Sequence, residues 1–214
     1  MKKLIRFLLI IILILSLLII YARYGGTRGL ITKEYQIETT IDDSFDGLKI
    51  VHFSDLHYLR ITNKETTQSI IEEINLLNPD IVVFTGDLID KDYKPNDKDI
   101  SNLKELLTSI KSKYGKYSVL GEHDIKVEDT IKDIYISSNF TLLDNSYDVI
   151  YGNNNNKLFI GGLSNNPDID KVMNYFTENE DINYKIILVH EPDYIDTITS
   201  KYNNTNLVLA GHSH

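Results

Sequence analysis

Residues 48–57 read LKIVHFSDLH, an apolar run that ends directly in an acid and a histidine, Asp55 and His57. Residues 81–87, IVVFTGD, repeat this arrangement with Asp87. Further short apolar runs, separated by helical patterns, follow along the chain. Runs that are apolar on both faces are typical of strands in buried parallel sheets. The sequence therefore predicts an α/β domain with largely parallel sheets over residues 48–214.

Apolar spacing and turn residues predict the individual elements. Four consecutive asparagines at residues 153–156 predict a hairpin turn, because Asn tolerates the left-handed backbone of turns. Thr62 and Glu65 form a candidate capping box for the first helix of the domain, and Asp97 is a candidate cap for the second. The predicted strands are Leu48–Phe53, Ile81–Thr85, Tyr117–Leu120, Tyr147–Tyr151, Lys157–Ile160, Lys185–Val189 and Leu207–Ala210, and the predicted helices are Lys64–Leu77, Lys98–Tyr114, Val127–Ser138, Ile169–Asn179 and Tyr194–Tyr202.

The first 33 residues differ in composition from the rest. They carry six Lys and Arg residues and no acid, and an apolar run extends from Phe7 to Ile20, interrupted only by Ser16. This run predicts a transmembrane anchor over residues 1–22 and a linker with an edge strand, Tyr35-Gln36-Ile37-Glu38, over residues 23–47. A cleaved signal peptide is the alternative. Three cations before the run against two soon after it favour a single-pass protein of the cell membrane with an extracytoplasmic domain.

Charge and cysteine content exclude several classes of protein. From Glu34 onward, 16 of the 22 basic residues stand against all 31 acidic residues, so no nucleic-acid partner is expected. The chain has no Cys, which excludes disulfides, thiolate metal sites and a thiol nucleophile. An acidic domain repels phosphate, so a phosphate substrate would need positive charge from another source, for which a metal ion is the obvious candidate.

Acids and histidines follow the predicted strands at five places. Ligands of open α/β sheets bind at the carboxyl ends of strands, so these five groups can converge on one site. Imidazole and carboxylate ligands suit Zn, Mn, Fe or Mg, and their number favours two metal ions that share a carboxylate. The groups are Asp55 with His57, Gly86-Asp87 with Asp90, Gly121-Glu122-His123-Asp124, His190, and Gly211-His212-Ser213-His214.

The order of these groups resembles the signature of the calcineurin-like metallophosphoesterases, D-x-H, G-D-x-x-D, G-N-H-[DE], H and G-H-x-H. The segment Phe53-Ser54-Asp55-Leu56-His57 and the apolar amino terminus are most similar to the membrane-bound bacterial subgroup. The resemblance covers residues 48–214. It implies a four-layer αββα sandwich of two mixed sheets, with two divalent metal ions (Mn, Fe or Zn) at the strand ends.

The resemblance also implies a role for each site residue. A hydroxide that bridges the metal ions would attack phosphorus, His123 would donate a proton to the leaving oxygen, and Asp90 would orient the His123 ring. One metal ion would be held by Asp55, His57, Asp87 and His214, and the other by Asp87, Glu122, His190 and His212, with Asp87 bridging.

Two features depart from the family pattern. Glu122 stands where the family has Asn, which adds a negative charge and removes an N–H₂ donor. That charge disfavours binding of a dianionic monoester more than binding of a monoanionic diester. The alternative is that Glu122 simply replaces Asn as a metal ligand, with little effect on substrate preference. The chain ends at His214, the last residue of the motif. We expect either a fragment of a longer protein or a truncated domain that lacks the family's C-terminal strands and leaves a sheet edge unpaired.

These observations favour a membrane-anchored, dinuclear metal-dependent phosphohydrolase that prefers phosphodiesters, with lipid-linked or cell-wall phosphates as candidate substrates. The main alternative is a catalytically impaired, membrane-anchored pseudoenzyme or binding module of the same fold, which Glu122 favours and the intact pair of His123 and Asp90 disfavours. A metal-sequestering surface protein would explain the ligands but not that pair. Arg60 could reach a substrate phosphate, although a solvent-exposed arginine is the simpler expectation.

Overall fold

The structure of the chain is a computed structural model that describes residues 2–24, 29–153, 156–178, 182 and 184–213. It divides into two units, residues 1–38 and residues 39–214. The helices are α1 (Lys2–Tyr24), α2 (Lys64–Leu76), α3 (Asp97–Thr108), α4 (Glu128–Ser137), α5 (Ile169–Glu178) and α6 (Ile195–Lys201), and the strands are β1 (Ile50–Phe53), β2 (Ile81–Phe84), β3 (Gly115–Ser118), β4 (Phe140–Leu142), β5 (Ser146–Tyr151), β6 (Lys157–Gly162), β7 (Tyr184–Val189) and β8 (Leu207–Ala210).

The first unit contains α1 and a segment without regular structure. The large apolar side chains of α1 between Ile5 and Ile19 are all exposed. No helix among the described residues has both the length and the apolar character needed to cross a membrane, so the anchor predicted over residues 1–22 is not confirmed. The predicted edge strand is wrong, since residues 29–42 form neither helix nor strand. Tyr35 and Ile37 are both exposed, and a four-residue strand without a partner or a buried face is not stable.

Strands β1 to β4 form a parallel sheet in the order β1-β2-β3-β4. Its strand β2 is buried along its whole length. Val82 and Phe84 belong to the core under α2, α3 and α4, whereas Ile81 and Val83 belong to the core shared with the second sheet. This alternation is the two-residue period of a strand and explains why the sequence is apolar throughout. The sequence prediction missed β4, because three residues are too few to show a period.

Strands β5 to β8 form the second sheet in the order β5-β6-β7-β8. Strand β5 is antiparallel to β6, and the remaining pairs are parallel. The antiparallel pair confirms the predicted hairpin, of which residues 154–155 lie outside the described part of the chain. Leu158 and Ile160 face the core between the sheets, and Phe159 packs in the core that contains Val172 of α5 and Ile198 of α6.

Three apolar cores therefore lie between four layers: α2 to α4, the first sheet, the second sheet, and α5 with α6. The predicted α/β fold with two sheets is confirmed. One expectation needs correction, because only the second sheet is mixed while the described strands of the first are all parallel. The expected lack of further C-terminal strands stays a prediction.

Asparagines rather than the predicted residues cap two helices. Helix α2 is capped by Asn63 instead of Thr62. Helix α3 is capped by Asn96, in a capping box with Asp99, instead of Asp97. Asn, Asp and Ser are nearly equivalent at this position, so neighbouring polar residues gave the sequence more than one candidate for each helix start.

Candidate metal centre

The five predicted groups follow β1, β2, β3, β7 and β8 directly, at the carboxyl ends of these strands. Four predicted ligands have left-handed backbone, with φ of 54° at Asp55, 38° at His57, 60° at Asp87 and 67° at His212. Residues with side chains seldom adopt this conformation, and the strain persists where the surroundings hold it, commonly at functional sites. Backbone hydrogen bonds hold the first two, from Asp55 N to Gly86 O and from His57 N to Asp87 O, each 3.0 Å.

His190 is buried in one fixed orientation. Its Nδ1 lies 2.7 Å from the carbonyl oxygen of Thr85, which can only accept, so Nδ1 donates the hydrogen. The other nitrogen, Nε2, is buried without a hydrogen-bond partner among the described residues and lies 3.4 Å from Oδ2 of Asp87. A histidine that donates one ring hydrogen to a backbone carbonyl presents the other nitrogen to a metal ion.

The metal-free site couples His190 to Asp87. Burial favours the neutral imidazole, but the 3.4 Å contact with the Asp87 carboxylate and the charge of that carboxylate raise the pKa of His190 to about 9. Burial acts against the charge of Asp87 as well, but the contacts with His190 and the backbone N–H of His123 lower the pKa of Asp87 below its usual range. At neutral pH a proton on His190 therefore occupies the place of a cation beside the carboxylate.

Among the described residues, two groups of side chains have ligand atoms close enough to share a metal ion. Asp55, Asp87 and His190 bring one atom each to within 4.8 Å of one another, and so do His57, Asp87 and His123. Asp87 belongs to both groups and is buried between them. Carboxylate and imidazole donors of this kind suit divalent Mn, Fe or Zn.

Asp124 is fully buried and joins the loop after β2 to the loop after β3. Its Oδ1 accepts from the backbone N–H groups of Leu88 (2.9 Å) and Ile89 (3.4 Å), and its Oδ2 accepts from those of Asp87 and Gly121 (2.9 Å each). Burial raises the pKa of Asp124 to about 7, although the backbone donors favour the charged form. The sequence marks Asp124 only as the last position of a motif, so this role was not predicted.

Asp90 is buried and contacts three basic side chains through one oxygen. Its Oδ2 lies 2.6 Å from Nη1 of Arg60, 3.2 Å from Nδ1 of His123 and 3.3 Å from Nδ1 of His57. Burial disfavours the charge on Asp90, but the backbone N–H of Asp92 and the guanidinium of Arg60 lower the pKa of Asp90 to about 2. An ionised Asp90 therefore holds the rings of His57 and His123 in place.

Residues 48–214 match the family model described as calcineurin-like phosphoesterase. The chain belongs to this family. It is therefore a metallophosphoesterase, within the class of phosphoric ester hydrolases.

Three relatives show how far the similarity of this metallophosphoesterase extends. It is 34% identical over 203 residues to the uncharacterized metallophosphoesterase YkuE of Bacillus subtilis (strain 168), across 91% of this chain and 68% of the relative. It is 26% identical over 189 residues to the "transmembrane protein with metallophosphoesterase domain" of Danio rerio, across 81% and 42%. Over 78 residues it is 36% identical to UDP-2,3-diacylglucosamine pyrophosphatase LpxG of Chlamydia muridarum (strain MoPn / Nigg), across 36% and 23%.

The donor set fits the two divalent metal ions of a metallophosphoesterase. The shared carboxylate of Asp87 lies between two ligand clusters, and the buried Nε2 of His190 lacks a hydrogen-bond partner within the described part of the chain. Neutral imidazole and ionised carboxylate are the forms that bind metal. A metal ion beside Asp87 would replace the proton that His190 carries in the metal-free protein.

The structure does not bring every predicted ligand into the two clusters. Glu122 is partly exposed, and its Oε1 lies 3.3 Å from Nε2 of His123. His212 is exposed, and its ring centre lies 5.2 Å from that of His190. Its backbone N–H donates to Oδ2 of Asp55 at 3.1 Å. His214 lies outside the described residues. The ligand roles of these three residues, and the acid role of His123, stay predictions.

Metal binding is expected to release a proton at neutral pH. Because the pKa of His190 is raised to about 9, the imidazole must lose a proton to bind metal through Nε2. The dissociation constant for Mn²⁺ should then fall about tenfold per pH unit between about pH 6.5 and 8.5. Calorimetry on chelator-treated protein in two buffers of different ionisation enthalpy counts the released protons. A dissociation constant for Mn²⁺ that does not change with pH would contradict the prediction. The matched control is His190→Gln, for which we expect neither the pH dependence nor the proton release.

Proposed function

We propose that this metallophosphoesterase hydrolyses phosphodiesters with two divalent metal ions, for which Asp87 would be a shared ligand. The observation that supports this proposal is the sharing of that carboxylate by the two ligand clusters. When bound, the metal pair supplies positive charge for phosphate oxygens and lowers the pKa of a bound water. The domain needs this charge, because its acids outnumber its bases.

The side chains around the metal centre would divide the remaining work. Asp55 and His190 would hold one metal ion together with Asp87, and His57 would hold the other. His123 lies in the second cluster as well, but the proposal gives it the role of acid. His123 would act as general acid from Nε2, because its Nδ1 lies 3.2 Å from the buried carboxylate of Asp90. Nδ1 also accepts the backbone N–H of Lys91 at 3.3 Å, so the contacts at this nitrogen fix the ring and leave Nε2 to carry the proton.

The test of the function is hydrolysis of bis(p-nitrophenyl) phosphate by the full chain with Mn²⁺. Activity that disappears with a chelator and returns with Mn²⁺ supports the proposal. The alternative is an impaired pseudoenzyme, which the contact between Glu122 and Nε2 of His123 favours, because this nitrogen is the one that would donate the proton. Folded, metal-loaded protein without hydrolysis would favour that alternative.

Replacing Glu122 with Asn is expected to shift preference toward phosphomonoesters. A monoester dianion carries one more negative charge than a diester, so the Glu122 carboxylate repels it more. We expect the ratio of kcat/KM for p-nitrophenyl phosphate over bis(p-nitrophenyl) phosphate to rise roughly tenfold, equivalent to about 1.4 kcal/mol. The matched control is Glu128→Gln, which removes a half-exposed acid paired with Lys132 on α4. A parent enzyme that already prefers the monoester would refute the preference for diesters.

We propose further that α1 attaches the protein to a membrane, where lipid-linked phosphates would be candidate substrates. The support is the exposed apolar surface between Ile5 and Ile19, which suits the interface between headgroups and acyl chains. Two relatives are named as a transmembrane protein and as a pyrophosphatase of a UDP-linked diacylglucosamine. The test is whether the protein is recovered in the membrane fraction and stays there in high salt. Deletion of residues 1–24 should abolish this recovery. The extracytoplasmic position stays a prediction.

A further inference from the structure

Arg60 lies at the edge of the candidate metal centre, where the sequence favoured a solvent-exposed arginine over one that reaches a substrate phosphate. Its side chain is 56% exposed, yet its Nη1 lies 2.6 Å from Oδ2 of the buried Asp90. The same oxygen lies 3.2 Å from Nδ1 of His123. Arg60 is therefore a partly exposed cation that shares a carboxylate with the proposed general acid.

A tight turn fixes the backbone of Arg60 relative to the metal centre. Leu59, just before it, has a left-handed backbone with φ of 70°. The N–H groups of Arg60 and Ile61 both donate to the carbonyl oxygen of His57 at 2.9 Å, and Tyr58 N donates to the loop after β2. Tyr58 is buried. The turn is thus attached to both loops that carry ligands, and the guanidinium starts from a preorganised position.

The guanidinium of Arg60 has N–H donors that its two ion pairs do not use. An arginine offers five N–H groups, and both ion pairs recorded for it among the described residues use Nη1. The first is the contact with Asp90, and the second is a 3.9 Å contact with Asp92, which is too long for a hydrogen bond and involves an exposed partner. Nη2 and Nε remain available for the paired N–H contacts by which arginine binds phosphate.

The position of Arg60 indicates which part of a substrate it meets. The ring of His57 separates Asp90 from Asp87, because Nδ1 lies 3.3 Å from Asp90 while Nε2 lies 3.6 Å from Asp87. The attacked phosphorus belongs beside Asp87, where the two ligand clusters meet. Arg60 contacts Asp90, and the same carboxylate contacts His123, whose backbone N–H donates to Asp87 at 2.9 Å. Because His123 is the proposed general acid, Arg60 lies beside the group that would protonate the leaving oxygen. An anion bound by Arg60 would therefore belong to the leaving group.

We propose that Arg60 binds a phosphate in the leaving group, so that the substrate class is a diphosphate diester. This inference rests on the proposed function and narrows it. Such a substrate carries one negative charge on each phosphorus, and the metal centre and Arg60 would each compensate one of them. Water supplies the oxygen that bonds to the attacked phosphorus, and the bridging P–O bond breaks with its electron pair moving to the leaving phosphate. One water is consumed, its two hydrogens end on the products or in solvent, and two monoesters form.

The experiment compares Arg60→Gln and Arg60→Lys with the parent full chain, loaded with Mn²⁺. The substrates are UDP-glucose, a diphosphate diester, and bis(p-nitrophenyl) phosphate, a diester whose leaving group contains no phosphate. Binding of an imido-bridged, non-hydrolysable analogue of UDP-glucose is measured by calorimetry, so that one readout does not depend on turnover. The matched control is Lys132→Gln, which removes a surface cation paired with Glu128 and Asp144 on and near α4.

We expect Arg60→Gln to raise KM for UDP-glucose and to weaken analogue binding by tenfold or more, as loss of a charge-assisted contact does. Any loss that acts through Asp90 is shared by both substrates, so the deciding quantity is the ratio of KM for UDP-glucose over KM for bis(p-nitrophenyl) phosphate, which should rise tenfold or more. Arg60→Lys should restore part of the binding. Equal losses on both substrates, or a fall in kcat alone, would show that Arg60 only positions Asp90 and would overturn the inference. A parent that binds the analogue through Arg60 but hydrolyses neither substrate would refute the proposed function and the hydrolytic step, and would support only the phosphate contact of Arg60.

Discussion

Replacing Asp87 with Asn is expected to abolish metal-dependent hydrolysis. Oδ2 of Asp87 lies 3.4 Å from Nε2 of His190 and 3.6 Å from Nε2 of His57, and Oδ1 accepts the N–H of His123 at 2.9 Å. Asn keeps the volume and one acceptor but loses the charge shared by both ligand clusters. Metal affinity should fall by at least roughly a hundredfold, since loss of a residue that merely orients a ligand costs about 10–100-fold.

The same substitution is expected to change how stability depends on pH in the metal-free protein. The pKa of His190 is raised to about 9 from an ordinary 6.5. The contribution of protonated His190 to the free energy of unfolding is therefore complete below about pH 6.5 and is lost as the pH rises through about 9. The raised pKa corresponds to an upper limit of about 3 kcal/mol. Asp87→Asn removes the partner that raises this pKa, so the loss on raising the pH should shrink.

Three measurements check the Asp87 prediction: metal content, hydrolysis of bis(p-nitrophenyl) phosphate, and denaturant midpoints from pH 6.5 to 9.5 in chelator. The control is Asp133→Asn, a surface carboxylate paired with Lys104 on α3, which should behave as the parent does. An Asp87→Asn protein that retains two metal ions and its activity would remove Asp87 from the centre. Unchanged pH dependence of its midpoint would contradict the coupling to His190.

The sequence predicted the convergence of the site because that convergence depends on topology. Asp55 and Asp87 follow neighbouring parallel strands of the first sheet, which bring their carboxyl ends to one edge. His190 follows β7 of the second sheet, so its approach to the other two depends on how the two sheets pack. The structure places these three side chains in one cluster. The strand at Tyr35–Glu38 failed for the opposite reason, since four alternating residues say nothing about whether a partner strand lies beside them.

The contacts that depend on side-chain direction were beyond the sequence. Arg60 meets Asp90 across 30 residues of chain, and this pairing depends on the left-handed turn at Leu59. Glu122 could be recognised as a departure from the motif, but its contact with His123 depends on a rotamer choice that spacing does not determine. Residue order therefore predicted which loops meet, and the local backbone decided which atoms touch.

Replacing Asp124 with Asn is expected to destabilise the domain more than any surface substitution. The carboxylate accepts two backbone N–H groups on each oxygen, and the side chain is fully buried. Asn offers one oxygen, and its N–H₂ group would face two N–H donors. Each buried donor left without an acceptor costs about 1–3 kcal/mol. We therefore expect a loss of about 2–6 kcal/mol, a large part of the stability of a typical domain.

The Asp124 carboxylate also fixes the backbone of Asp87, whose N–H it accepts at 2.9 Å. Asp87 has a left-handed backbone with φ of 60°, a conformation that persists only where its surroundings hold it. Asp124→Asn should therefore weaken Mn²⁺ binding even though Asp124 belongs to neither ligand cluster. Loss of metal affinity in protein that is still folded distinguishes this positioning role from a purely structural one.

Denaturant unfolding in chelator and calorimetric titration with Mn²⁺ together decide the Asp124 prediction. The matched control is Asp144→Asn, a partly exposed carboxylate 3.7 Å from Nζ of Lys132, which should change neither quantity. If Asp124→Asn does not fold, Asp124→Glu is measured instead. The longer side chain keeps the charge but displaces both oxygens, so metal affinity should fall while most of the stability remains. Either variant could retain full metal affinity, Asp124→Asn in a destabilised protein or Asp124→Glu in a folded one. That result would show that Asp87 keeps its left-handed backbone without the hydrogen bonds to the Asp124 carboxylate. The strain at the ligand positions would then have to be held by the hydrogen bonds between the β1 and β2 loops alone.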